Sequence, residues 1–73
     1  MSGAAHHLRK RSFQLAGHRT SVALEAEFWA VLDQAARGSS LAALVGQIDA
    51  QRGERPLASA LRLHALALVR DGA

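Results

Sequence analysis

Cysteine is absent from the 73 residues of this chain. No disulfide can brace it, and a zinc site built on thiolates is excluded. The four histidines, His6, His7, His18 and His64, show no i, i+4 pairing. His6 and His7 also sit in a segment that reads as tail, so no metal and no other cofactor is expected. Apolar runs long enough to cross a bilayer are missing. Met1 to His7 lacks the apolar core of a signal peptide. With no export signal and no cysteine, the expected setting is a bacterial-type cytoplasm. Catalytic signatures are missing too, since there is no Gly-rich phosphate loop and no nucleophile elbow. The six acids are spread along helix surfaces, and so short a chain leaves little room for a pocket. Neither an enzyme nor a small-molecule binder is expected.

Acids are lacking altogether at the front. Residues 1–20 hold Arg9, Lys10, Arg11 and Arg19 and no Asp or Glu, a charge of +4, whereas residues 21–73 sum to −1. A basic front on a nearly neutral body suggests a polyanion contacted at one end, although a solubilising tail explains the charge equally well. A chain of this length has a thin core and usually needs a disulfide, a metal or a partner subunit. With the first two set aside, oligomerisation remains, and a hydrophobic content of 49% supports it.

Residues 1–8 read as a flexible tail. In Lys10 to Leu15, Phe13 and Leu15 alternate with polar residues, which hints at extended structure, and Gly17 punctuates it. The clearest strand is His18 to Leu24. Thr20, Val22 and Leu24 share one face, and Arg19, Ser21 and Ala23 share the other. One short strand cannot satisfy its own backbone. The simplest partner is the same strand of a second subunit, and a hairpin folding residues 12–15 back onto 19–22 is the alternative. The pattern leaves both open.

Three helices follow. The first spans Glu25 to Arg37, with Phe28, Leu32, Ala35 and Ala36 at helical spacing and Glu25 and Glu27 near its positive end. Trp29 and Val31 lie beside that stripe, so their burial is expected to depend on a partner subunit. Gly38 ends the helix. Ser39 or Ser40 caps the second helix, where Leu41, Leu44, Val45 and Ile48 form the cleanest amphipathic stripe, closed by Arg52 and Gly53. Pro56 suits the first turn of a third helix running roughly from Leu57 to Arg70. Its Leu57, Leu61, Leu63, Leu66, Leu68 and Val69 exceed what one stripe buries in a small monomer, which points to a subunit interface. His64 is expected as a packed core residue. Residues 9–70 thus form one domain, followed by a short tail over residues 71–73.

A basic arm, one strand, a helix, a Gly-Ser turn and a second helix make physical sense around duplex DNA. A two-stranded ribbon fits the major groove, and an outward arginine can present two donors to guanine. Free N–H groups at a helix start suit a phosphate.

The chain resembles the ribbon-helix-helix family, the fold of the Arc and methionine repressors. More narrowly, it resembles a short bacterial group of that family. The residues that carry the resemblance are Lys10-Arg11-Ser12, Gly17-His18-Arg19-Thr20-Ser21 and Leu24-Glu25. They are followed by Glu27-Phe28-Trp29, then Ser40 to Val45, and Ile48-Asp49. The resemblance covers about residues 9–70. It implies a mainly α fold with a short β-ribbon, a ribbon-helix-helix dimer with an additional C-terminal helix. It also implies base reading by Arg19, Ser21 and Ala23, of which Ala23 offers only a methyl. Phosphate contacts would fall on Ser39 and Ser40, with Arg9, Lys10 and Arg11 adding to them from the basic arm. The dimer core would hold Val22, Leu24, Phe28, Leu32, Leu41, Leu44, Val45 and Ile48. The expected function is sequence-specific binding of double-stranded DNA by a homodimeric transcriptional regulator or repressor. The C-terminal helix could extend the assembly to a higher oligomer. The rival is a protein-interaction module of the same fold, an adaptor or an antitoxin-like protein without DNA binding.

Overall fold

A computed structural model describes residues 8–72. His6, His7 and most of the expected tail lie outside them, as does Ala73. The elements are β1 (Leu8–Leu15), β2 (His18–Glu25), α1 (Ala26–Ala35), α2 (Leu41–Gln51) and α3 (Leu57–Gly72). Leu8, placed in the tail by its sequence context, is the first residue of β1, and α3 runs two residues past its expected end.

β1 and β2 form an antiparallel hairpin within one chain, in register from Leu8 opposite Glu25 to Leu15 opposite His18. The expectation of a partner strand from a second subunit is thereby corrected. The local cause is the two-residue loop Ala16-Gly17, with φ of 51° and 84°. Positive φ at both loop residues is the mark of a type I′ turn, whose twist matches that of the flanking strands. Gly17 adopts this region freely. Ala16 carries a Cβ and does so at a cost of about 1–2 kcal/mol.

Strand alternation decides what the hairpin buries. Phe13, Leu15, Val22 and Leu24 face inward and are buried, while Lys10, Ser12, Gln14, Arg19 and Ser21 are exposed. A two-stranded ribbon with one apolar face must be roofed by something. Here the three helices do it, with α2 against β1 and α3 against β2, α1 and α2.

The helix ends follow from their caps. α1 stops at Ala35 rather than Arg37, because the Ala36 N–H is shared between the Leu32 and Asp33 carbonyls, the Arg37 N–H turns to the i−3 carbonyl of Gln34, and Gly38 takes φ 84°. At α2 the cap is Ser40, whose Oγ accepts from the Ala43 N–H at 3.0 Å. Ser39 instead donates its N–H to the Ala36 carbonyl. Arg52 closes α2 by reaching Asp49 and the Arg55 carbonyl, each at 2.7 Å.

The core gathers inside one chain. Leu24, Trp29, Leu32, Val45 and Leu61 are its largest fully buried members. Of the eight residues expected in a dimer core, Val22, Leu24, Leu32, Val45 and Ile48 are buried, and Phe28, Leu41 and Leu44 pack against them. Trp29 corrects the expectation that it waits for a partner. It is 1% exposed, lies beside Phe13 with ring centroids 6.0 Å apart, and donates Nε1–H to the Arg9 carbonyl at 2.8 Å. β1 covers it, and β1 is the strand whose pairing the sequence left open. Val31 is likewise half-buried against the core. His64 is half-buried at the α2–α3 side and does not join the core.

Candidate nucleic-acid interface

The outer face of the hairpin is built from register partners. From the turn downward these are Gln14 with Arg19, Ser12 with Ser21, Lys10 with Ala23 and, at the foot, Leu8 with Glu25. In the three pairs nearest the turn every residue but Ala23 is polar and exposed; Ala23 and Glu25 are half-buried, and Leu8 is exposed and apolar. The Ser12 and Ser21 hydroxyls lie 2.9 Å apart and hydrogen bond to each other. The inward face is closed to a ligand by the helices, so whatever the ribbon binds meets these side chains.

Charge is distributed just as unevenly. Four cations are neutralised by acids: Arg11 by Asp33, Arg52 by Asp49, Arg62 by Glu25 and Arg70 by Asp71. Among the described residues, Arg9, Lys10, Arg19, Arg37 and Arg55 have no ion-pair partner. Three of these five stand on the ribbon. Glu25, at the foot of β2, is held below the usual carboxylate value of 4.5 by its own backbone N–H and by the Arg62 guanidinium. Its charge is therefore spent on Arg62, which also lies over the Phe28 ring at 5.9 Å. The outward face is left with uncompensated positive charge.

Ribbon, helix, capped turn and helix follow one another in that order. A family model described as a ribbon-helix-helix domain matches residues 8–69. The chain belongs to this family. Membership supports a DNA-binding or regulatory role in general terms. No curated protein and no solved structure gives a significant match. α3, nearly all of which lies inside the matched span, is the additional helix expected beyond the two-helix unit.

Within this ribbon-helix-helix chain, Arg19, Ser21 and Ala23 lie on the outward side of β2, the facing that their alternation with Val22 and Leu24 predicts. Lys10 joins them on that side from β1. Arg9 and Arg11 do not, because they alternate with Lys10 and pair with Leu24 and Val22 on the opposite side. Arg9 is exposed there, and its carbonyl serves Trp29. Arg11 is committed elsewhere. Its two terminal nitrogens reach the two Asp33 oxygens at 2.9 and 3.3 Å, and its guanidinium lies 4.8 Å from the Trp29 ring centroid. The basic segment is thus a strand with two differently employed sides, and not a free arm. Ser39 and Ser40 stand at the start of α2, with the Ser40 hydroxyl already engaged as cap.

Sequence reasoning missed Ser12 and Gln14. Their signal was present in the alternation of Lys10, Ser12 and Gln14 with Phe13 and Leu15, but without the hairpin register nothing placed them beside Ser21 and Arg19. No helix among the described residues is long and apolar enough to cross a membrane. No group of His, Cys, Asp or Glu residues suited to a metal ion occurs among the described residues either.

Proposed function

We propose that this protein binds duplex DNA by laying the outer face of its hairpin in the major groove, as a homodimeric, sequence-specific regulator of transcription. The observation that carries the reading is the outer face itself, polar toward the turn from Lys10 to Gln14 on β1 and at Arg19 and Ser21 on β2, and bearing Lys10 and Arg19 without neutralising acids. A two-stranded ribbon is narrow enough for a groove about 12 Å wide. Lys10 stands four residues along β1 from the tip pair, roughly 13 Å at strand rise. Base contact at the tip therefore sets Lys10 near a groove wall, where it meets phosphate. Arg19 beside the turn meets base edges, and Ser21 and the Ala23 methyl follow it. The Leu41 and Ala42 N–H groups at the start of α2, with Ser39 beside them, suit a second phosphate. The setting is the cytoplasm, and the role is binding without catalysis.

The dimer rests on α3, since the hairpin needs no second strand. Leu63, Leu66 and Val69 are 48%, 54% and 50% exposed, large apolar side chains spread over the open side of α3. An open, mostly apolar groove of about 560 Å³ runs between α1 and α3, lined by Ala30, Val31, Ala35, Leu68 and Val69 with Gln34 as its polar member. Exposed apolar side chains gathered on one helix beside an apolar groove suit a subunit interface.

The test is fluorescence anisotropy on random duplexes across a salt series, then on sites selected from random DNA. Salt-dependent binding to random duplexes is expected, with additional affinity on selected sites. Arg19→Lys should retain the random-duplex affinity and weaken discrimination at one base position by about 1–3 kcal/mol. No binding at low salt would remove the DNA reading and favour the adaptor of the same fold.

A further inference from the structure

We propose that Gln14 and Arg19, from the two strands of one hairpin, together read an asymmetric step of adjacent base pairs, adenine by Gln14 and guanine by Arg19. This rests on the DNA-binding reading above and assigns its specificity.

The two residues are direct register partners and form the outward pair nearest the turn. Both are exposed, and among the described residues neither side chain has a hydrogen-bond or ion-pair partner. Directly opposed residues place their Cβ atoms about 5 Å apart. Adjacent base pairs are separated by about 3.4 Å, so two flexible side chains span neighbouring pairs without strain. Their chemistries differ in the way two bases differ. The glutamine amide offers a donor and an acceptor, matching N6 and N7 of adenine, and the guanidinium fork offers two donors, matching O6 and N7 of guanine. The next pair carries less information. Ser12 and Ser21 are the same residue, and their hydroxyls are hydrogen bonded to each other at 2.9 Å.

Symmetry gives the inference its reach. A ribbon made from the same strand of two chains presents identical residues on both sides and reads a sequence with a two-fold axis beneath it. This ribbon has Gln14 on one strand and Arg19 on the other, so no such axis runs through it. Each chain is a complete reading unit for a half-site that is not itself palindromic. A dimer would then read two half-sites, one per hairpin.

The experiment selects sites from random duplexes with the wild type, Gln14→Ala, Gln14→Glu and Arg19→Lys. Circular dichroism would establish that each exposed-strand variant is folded. The wild type should enrich adenine and guanine at adjacent pairs, without a dyad centred on that step. Gln14→Ala should lose about tenfold of the adenine preference while keeping the guanine. Gln14→Glu should move the preference to cytosine, whose N4 donates to a carboxylate. Binding that weakens equally on all sequences, an unchanged adenine preference in Gln14→Ala, or a palindrome centred on the step would overturn this inference and leave DNA binding standing. A wild type that binds no duplex at low salt would overturn both.

Discussion

Arg11 separates the structural part of the basic segment from the part assigned to DNA. Replacing it with alanine removes two interactions at once. The paired Arg11 and Asp33 side chains are 40% and 48% exposed, so solvent limits their ion pair to the range of surface pairs, up to about 1 kcal/mol. The guanidinium over Trp29, also partly solvated, adds about 0.5–1 kcal/mol. Arg11→Ala should therefore cost about 0.5–2 kcal/mol, and a domain of this size loses about 4–8 °C in Tm for each kcal/mol. A double-mutant cycle with Asp33→Ala, followed by urea denaturation, should return a coupling of about 0.2–1 kcal/mol. The DNA assay should give the complementary result. A residue on phosphate contributes about 0.9 to the slope of log K against log salt. Lys10→Ala should lower that slope by about 1 per chain and leave stability nearly untouched, whereas Arg11→Ala should leave the slope alone. The assignment of Arg11 to Asp33 and Trp29 fails if Arg11→Ala flattens the salt dependence as Lys10→Ala does while its melting curve stays where it was. Arg11 would then have left Asp33 for phosphate.

Ala16→Asn should stabilise the hairpin by about 1 kcal/mol, because Asn tolerates positive φ and Asn-Gly is favoured in this turn; chemical denaturation would detect it, and a loss of stability would mean the turn is of another type. Ser40→Ala should cost about 1 kcal/mol through the lost cap on Ala43, read by the same method. Glu25 has a folded pKa below its usual 4.5, so its contribution to stability is complete above that value and is lost as pH falls through the folded pKa. Acid titration of Glu25→Gln should accordingly show less stability lost below pH 4.5 than the parent shows. Leu66→Glu together with Val69→Glu should shift sedimentation from dimer to folded monomer, since both side chains are half exposed on α3.

Much of this architecture is legible in the chain because its signals are local. Period-2 alternation turns Arg19, Ser21 and Ala23 away from Val22 and Leu24 whichever strand pairs with β2. The i, i+3, i+4 stripe of Leu41, Leu44, Val45 and Ile48 needs only a helix, and Gly38 and Ser40 mark a boundary through their own backbone and side-chain chemistry. The partner of β2 is not local. A lone strand is satisfied equally by β1 or by a second chain, and Ala16 weakens the turn signal because alanine rarely takes positive φ. Once the hairpin closes, three results follow that no window of sequence contains. Trp29 is covered by a strand 20 residues before it. Arg11 finds Asp33 across 22 residues and leaves the set of free cations. Gln14 comes to lie beside Arg19. Local periodicity fixes the inward sides of β2 and α2, whereas the burial of Trp29 and the sharing of one outer face by Gln14 and Arg19 depend on the fold, because strand pairing joins segments whose proximity no local preference encodes.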